Sequence, residues 1–104
     1  METVALWVQL EANKGKEAEV ETLLRESLAL AVKETGTVSW YALKLGPTSY
    51  GIFDTFLTNQ DREAHLGGKI AKGLEEKAGE LFSKPPTIER MDILASKLPE
   101  LEQY

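Results

Sequence analysis

The chain has no cysteine. That removes disulfides, thiolate nucleophiles, zinc–thiolate sites and iron–sulfur clusters together, and it suits a reducing cytoplasm. A single histidine, His65, excludes a zinc centre built on three histidines. No metal and no cofactor is expected. Basic residues are outnumbered, 12 Lys and Arg against 17 Asp and Glu, for a net charge of -5. They form no arm or stripe, which argues against a phosphate-backbone partner, so no nucleic acid is expected. No apolar run approaches the ~20 residues of a membrane span. The opening METVALWVQLEANKGK lacks a basic stretch followed by an apolar one, so no signal peptide is expected.

What is present belongs to a folded globular chain: 42% hydrophobic and 28% charged residues. The length of 104 residues predicts one domain, placed at residues 1–98, with a short tail at 99–104. A domain this small has little surplus stability, and a partner subunit covering apolar surface would add to it.

Residues 3–11 alternate, with Val4, Leu6, Val8 and Leu10 on one face and Ala5, Trp7, Gln9 and Glu11 on the other. This is a strand whose second face, carrying a tryptophan, is not plainly a solvent face. Residues 17–34 repeat Val20, Leu23, Leu24, Leu28, Ala31 and Val32 at helical spacing, with Glu21 and Arg25 as an i,i+4 pair. Gly36 is expected to close that helix in a left-handed cap. Residues 38–45 and 50–57 read as strands joined by a hairpin at Gly46, Pro47, Thr48 and Ser49. Thr58 to Asp61 matches a capping box. The second helical region extends to Phe82, with Ile70, Leu74, Ala78 and Phe82 as its stripe. Gly67 and Gly68 each cost about 1 kcal/mol of helix propensity, which predicts a kink or a split. Pro85 and Pro86 end the helix, and residues 88–97 read as the last strand.

The order β-α-β-β-α-β defines an α+β, ferredoxin-like fold with a four-stranded antiparallel sheet and helices on one face. Trp7, one of Trp40 and Tyr41, and aromatics of the third strand load the other face with apolar surface. A homodimer with sheets packed face to face is the expected remedy.

Residues 40–65, WYALKLGPTSYGIFDTFLTNQDREAH, carry a resemblance. Phe53-Asp54-Thr55-Phe56 is an aromatic–acid–x–aromatic run, and Ala64-His65 closes two helical turns, with Asp54 eleven positions before His65. The layout resembles the antibiotic-biosynthesis monooxygenase family of dimeric α/β barrels. That resemblance implies a homodimer that oxygenates a small aromatic phenol or quinol without metal or flavin. Two positions depart from the family pattern: Asp54 stands where Glu is usual, and Phe56 where Trp or Tyr is frequent. The haem-degrading branch of the superfamily matches less well, since the first strand lacks its Asn and no second histidine follows His65.

The chemistry so implied needs one base for a phenolic proton, donors for the developing oxyanion and an apolar aromatic lining. His65, with an unperturbed pKa of about 6.5, is the first candidate base. Asp54 either orients it or is the base itself. Each also has a structural reading: His65 as a helix side chain tied to the neighbouring strand, Asp54 as a surface or dimer-interface carboxylate. Trp40, Tyr41, Trp7, Tyr50, Phe56 and Arg62 are the candidate ligand-binding residues: rings for stacking, Tyr50 as a donor, Arg62 to neutralise a phenolate. Each has core, interface or surface packing as its alternative. At the level of function, two other readings stay open. One is a non-catalytic dimeric small-molecule-binding or stress-response module. The other is an isomerase or lactonase-like activity.

Overall fold

The computed structural model describes residues 2–99. Strand β1 (Val4–Glu11) leads into helix α1 (Glu17–Val32), then strands β2 (Thr37–Lys44) and β3 (Ser49–Phe56). Helices α2 (Asn59–Leu66) and α3 (Lys69–Leu81) follow, and β4 (Thr87–Asp92) closes the sheet. The four strands lie in the order β2-β3-β1-β4 with every neighbour antiparallel. This is the α+β, ferredoxin-like arrangement that the alternation patterns predict. Among the described residues no helix is long and apolar enough to cross a membrane.

Register decides what meets what. Leu6 of β1 and Trp40 of β2 both stand opposite Asp54 of β3. Trp7 and Tyr41 both stand opposite Phe53, one residue earlier and so on the opposite face. The first row lies under the helices. The second forms the open face. Beneath the helices, Val8, Leu10, Tyr50 and Ile52 pack with Val20 and Leu24 of α1 and Ile70 and Leu74 of α3. Each such side chain contributes roughly 1.5–3 kcal/mol by leaving water.

Thr58 caps α2 by accepting from the Asp61 amide at 3.1 Å, and its hydroxyl donates to the Asp61 carboxylate at 2.9 Å. Gly67 and Gly68 split the second helical region as their propensities require.

Three features depart from the sequence expectation by more than a one-residue shift. Helix α1 ends at Val32, two residues early. Gly36 does not adopt a left-handed cap; among the described residues only Gly15 has positive φ. A glycine is needed at 36 because the Asp61 side chain occupies the space where a Cβ would stand. Strand β4 stops at Asp92, short of residue 97. Its partner β1 begins at Val4, so the ladder runs out there; Ile93 makes a last bond to Thr3 O at 3.0 Å, and Leu94 is 97% exposed. Of the tail expected at 99–104, residues 100–104 lie outside the described residues.

Candidate functional site

The site is built where the C-terminal end of β3 passes under α2. Alternation on β3 turns Asp54 and Phe56 toward the helices, and both are fully buried. About two turns into α2 from its Thr58 cap, His65 descends onto them and is buried in turn. Its ring lies 5.2 Å from the Phe56 ring at 49°. Its Nδ1 is 2.6 Å from Glu34 Oε1, and its Nε2 is 2.9 Å from Asp54 Oδ2. The imidazole is thus held between two carboxylates.

The two contacts are unequal. The Nδ1 contact is a directed hydrogen bond, and Thr37 Oγ1 donates to the same Glu34 oxygen at 2.7 Å. The Nε2 contact has ion-pair distance, but its alignment is poor: neither Asp54 oxygen has a well-directed hydrogen-bond partner among the described residues.

Burial acts to lower the His65 pKa; the adjacent Asp54 and Glu34 carboxylates outweigh it, and the net direction is up. Burial also pushes the Asp54 carboxyl above the usual carboxylate range, with His65 pulling part of the way back. The cluster holds its protons tightly as a unit.

Two cavities meet at His65. One, about 360 Å³, lies between the sheet and α3; Leu6, Val8, Ile52, Ile70 and Leu74 line it, with Glu75 as its only other ionisable residue. The second, about 430 Å³, lies outside, between the end of α1 and the helices α2 and α3. Lys33, Glu34, Asp61 and Lys69 place charged groups on its walls. The first is suited to a small aromatic ligand, the second to water and ions.

The candidate residues of the sequence fall into separate places. His65, Asp54 and Phe56 come together. Trp40 shares their face of the sheet and packs against the core toward α1. Trp7 and Tyr41 lie on the open face with Phe53; the Tyr41 and Phe53 rings stack at 6.4 Å. Tyr50 is buried at the far end of β3, where its hydroxyl donates to Glu21 at 2.8 Å. Arg62 is buried too: its guanidinium donates to the Met91 and Ala5 carbonyls at 3.1 and 3.3 Å and to Asn59 at 2.7 Å, tying α2 to the sheet. None of Trp7, Trp40, Tyr41, Tyr50, Phe56 or Arg62 lines the apolar cavity, whose walls are aliphatic apart from His65 and Glu75. Glu34 is the member that the sequence reading did not single out. It stands 31 positions before His65, beyond the helix end, where no periodicity marks it.

The four-stranded antiparallel sheet under a split helical layer has the fold of the antibiotic-biosynthesis monooxygenase group. Solved structures agree. A "putative antibiotic biosynthesis monooxygenase" from Nitrosomonas europaea superposes with a TM-score of 0.79 at 15% identity, over 89% of this chain and 91% of that one. One so described from Caulobacter crescentus gives 0.77 at 18%, over 90% and 92%. A protein of unknown function from Nitrosomonas europaea is far nearer: TM-score 0.93 and 47% identity, over 96% of this chain and 97% of that one. The chain belongs to one family with that protein, and it has the fold of the monooxygenase group. No family model matches the sequence, and no curated protein matches it.

Proposed function

We propose that the protein is a cofactor-independent monooxygenase acting on a small aromatic phenol or quinol, with His65 and Asp54 as its acid–base pair. The observation that carries this reading is the apolar cavity of about 360 Å³ with His65 in its wall and Asp54 directly behind it. A phenol bound there meets His65 and one other ionisable residue, Glu75, in an otherwise apolar surround. Its proton passes to the Asp54–His65 pair, and the phenolate reduces dioxygen. For an anthrone the sum is a methylene and O2 going to a ketone and water, one oxygen atom retained in each. The fold shared with the monooxygenase-like structures supports the same reading.

The test is oxygen uptake with a panel of anthrones and quinols. Wild type consumes at least one of them, and His65→Ala lowers the rate by about 100-fold or more, the usual weight of general acid–base catalysis. No consumption by wild type, or an unaffected variant, overturns the proposal.

One observation favours a second reading, a non-catalytic small-molecule-binding module: both ring nitrogens already face carboxylates. Saturable binding of panel members with no oxygen uptake would select it.

In either reading the protein acts as a homodimer. Trp7, Tyr41, Phe53 and Leu43 share the open face of the sheet, with Tyr41 51% exposed, and a second copy would cover them. Sedimentation at micromolar concentration tests this, and a stable monomer would rule it out. The lack of cysteine accords with a cytoplasmic setting.

A further inference from the structure

We propose that Glu34 is a positioning residue of this site: it pins one proton on Nδ1 of His65 and leaves Nε2, the nitrogen beside Asp54, as the working one. The inference rests on the reading that the apolar cavity is the ligand site, and it deepens that reading by giving the two carboxylates different tasks.

The geometry separates them. Glu34 makes a hydrogen bond with Nδ1 at 2.6 Å, and the Thr37 hydroxyl fixes the same carboxylate oxygen. A short, aligned, charge-assisted bond of this kind decides where a neutral imidazole keeps its proton. Asp54 stands at 2.9 Å from Nε2 without a well-directed hydrogen bond, and neither of its oxygens has another partner among the described residues. Nε2 is therefore the nitrogen with freedom to exchange its proton. When a phenol arrives, Nε2 gives its proton to Asp54 and accepts the phenolic one. One proton has moved from ligand to carboxyl, His65 is again doubly protonated, and no electrons have been transferred. Throughout, Nδ1–H stays on Glu34.

Environment supports this division of labour. Glu34 faces the outer cavity and is 23% exposed, so its charge is hydrated. Asp54 is fully buried, and burial raises its proton affinity, as an acceptor requires. The other charged groups around His65 are committed elsewhere or distant in role. Asp61 of α2 binds its own helix cap, and Arg62 binds carbonyls of β1 and β4. Lys33 and Lys69 line the outer cavity beside Glu34, and Glu75 of α3 faces the apolar one.

Because His65 is the only histidine, its ring nitrogens can be read without ambiguity by ¹⁵N NMR. Above the pH at which the ring becomes neutral, the wild type is expected to show the Nδ1–H tautomer. Glu34→Ala should convert it to Nε2–H, directed at Asp54. Glu34→Gln, whose amide oxygen can still accept from Nδ1, should restore Nδ1–H, and Asp54→Asn should leave it in place. A wild-type ring protonated on Nε2, or a tautomer indifferent to Glu34→Ala, overturns the proposal. These spectra need no ligand, so they decide the role of Glu34 even if no panel compound is oxidised. Where one is, Glu34→Ala should lower kcat and displace its pH profile with KM held, and Glu34→Gln should recover most of the loss; a change in KM alone counts against the assignment.

Discussion

Removing the imidazole while keeping its volume is the most informative perturbation of this fold. In His65→Leu the Asp54 side chain, fully buried, loses the only group that, among the described residues, stands at ion-pair distance from it. Glu34 loses a partner too, but it is partly exposed and water can replace the bond. The loss is therefore dominated by Asp54. Breaking a buried pair from one side costs about 3–5 kcal/mol, against a total stability of roughly 5–15 kcal/mol for a domain of this kind. For about 100 residues that corresponds to a fall in Tm on the order of 15–25 °C. The penalty should shrink as pH is lowered toward the ordinary carboxylate range, where Asp54 becomes neutral and has no charge to desolvate. A second variant isolates the cause. His65→Leu with Asp54→Val removes the stranded carboxyl and should recover most of the loss, since a buried pair replaced by apolar side chains is often neutral. Urea unfolding at two pH values measures all of this. If His65→Leu costs less than about 1 kcal/mol, or if the double variant is no better than the single, the stranded-charge account is wrong.

Other expectations follow from the same geometry. The folded-state pKa of His65 is raised, so its contribution to stability is fully present below the unfolded value of about 6.5 and is lost as pH rises through the folded value. Asp54, also raised, acts with the same sign from the carboxylate range upward. Wild-type Tm should therefore decline above about pH 6.5, and His65→Leu should flatten that decline; a rising Tm would refute it. Gly51 lies against the Trp7 ring on the open face, where a Cβ would overlap it. Gly51→Ala should displace that ring at a cost of about 1–3 kcal/mol and alter tryptophan fluorescence, with Gly46→Ala, which meets open space, as the silent control. Burial, with the bond to Glu21, pushes Tyr50 up to about 12. Alkaline absorbance titration should show a late tyrosinate step that Tyr50→Phe abolishes.

Strand and helix content was legible because local rules and tertiary demands agree here. Alternation in β1 and β3 and the i,i+4 stripe of α3 each required a single buried face, and the fold supplies it. The Gly67–Gly68 break needed only backbone propensity. The end of β4 was not legible: its residues alternate on past 92, but a strand lasts only as long as its neighbour, and β1 starts at Val4. Gly36 misled for a related reason. Position after a helix suggests a cap, whereas its actual constraint is a side chain 25 positions away.

For the site, residue chemistry and spacing brought Asp54 and His65 into one frame, because a strand end feeding directly into a helix leaves little geometric freedom. The sequence by itself thus determined the fold class, the split helix and one carboxylate–imidazole pair. Only the tertiary structure decided which aromatics stand near that pair and which lie on the open face, since adjacent residues of a strand point to opposite sides and neither side is marked in advance. It alone brought Glu34 to Nδ1. A contact across 31 positions between two elements that share no hydrogen-bond ladder is set by how α2 seats on the sheet, and that is a property of packing, which no local pattern records.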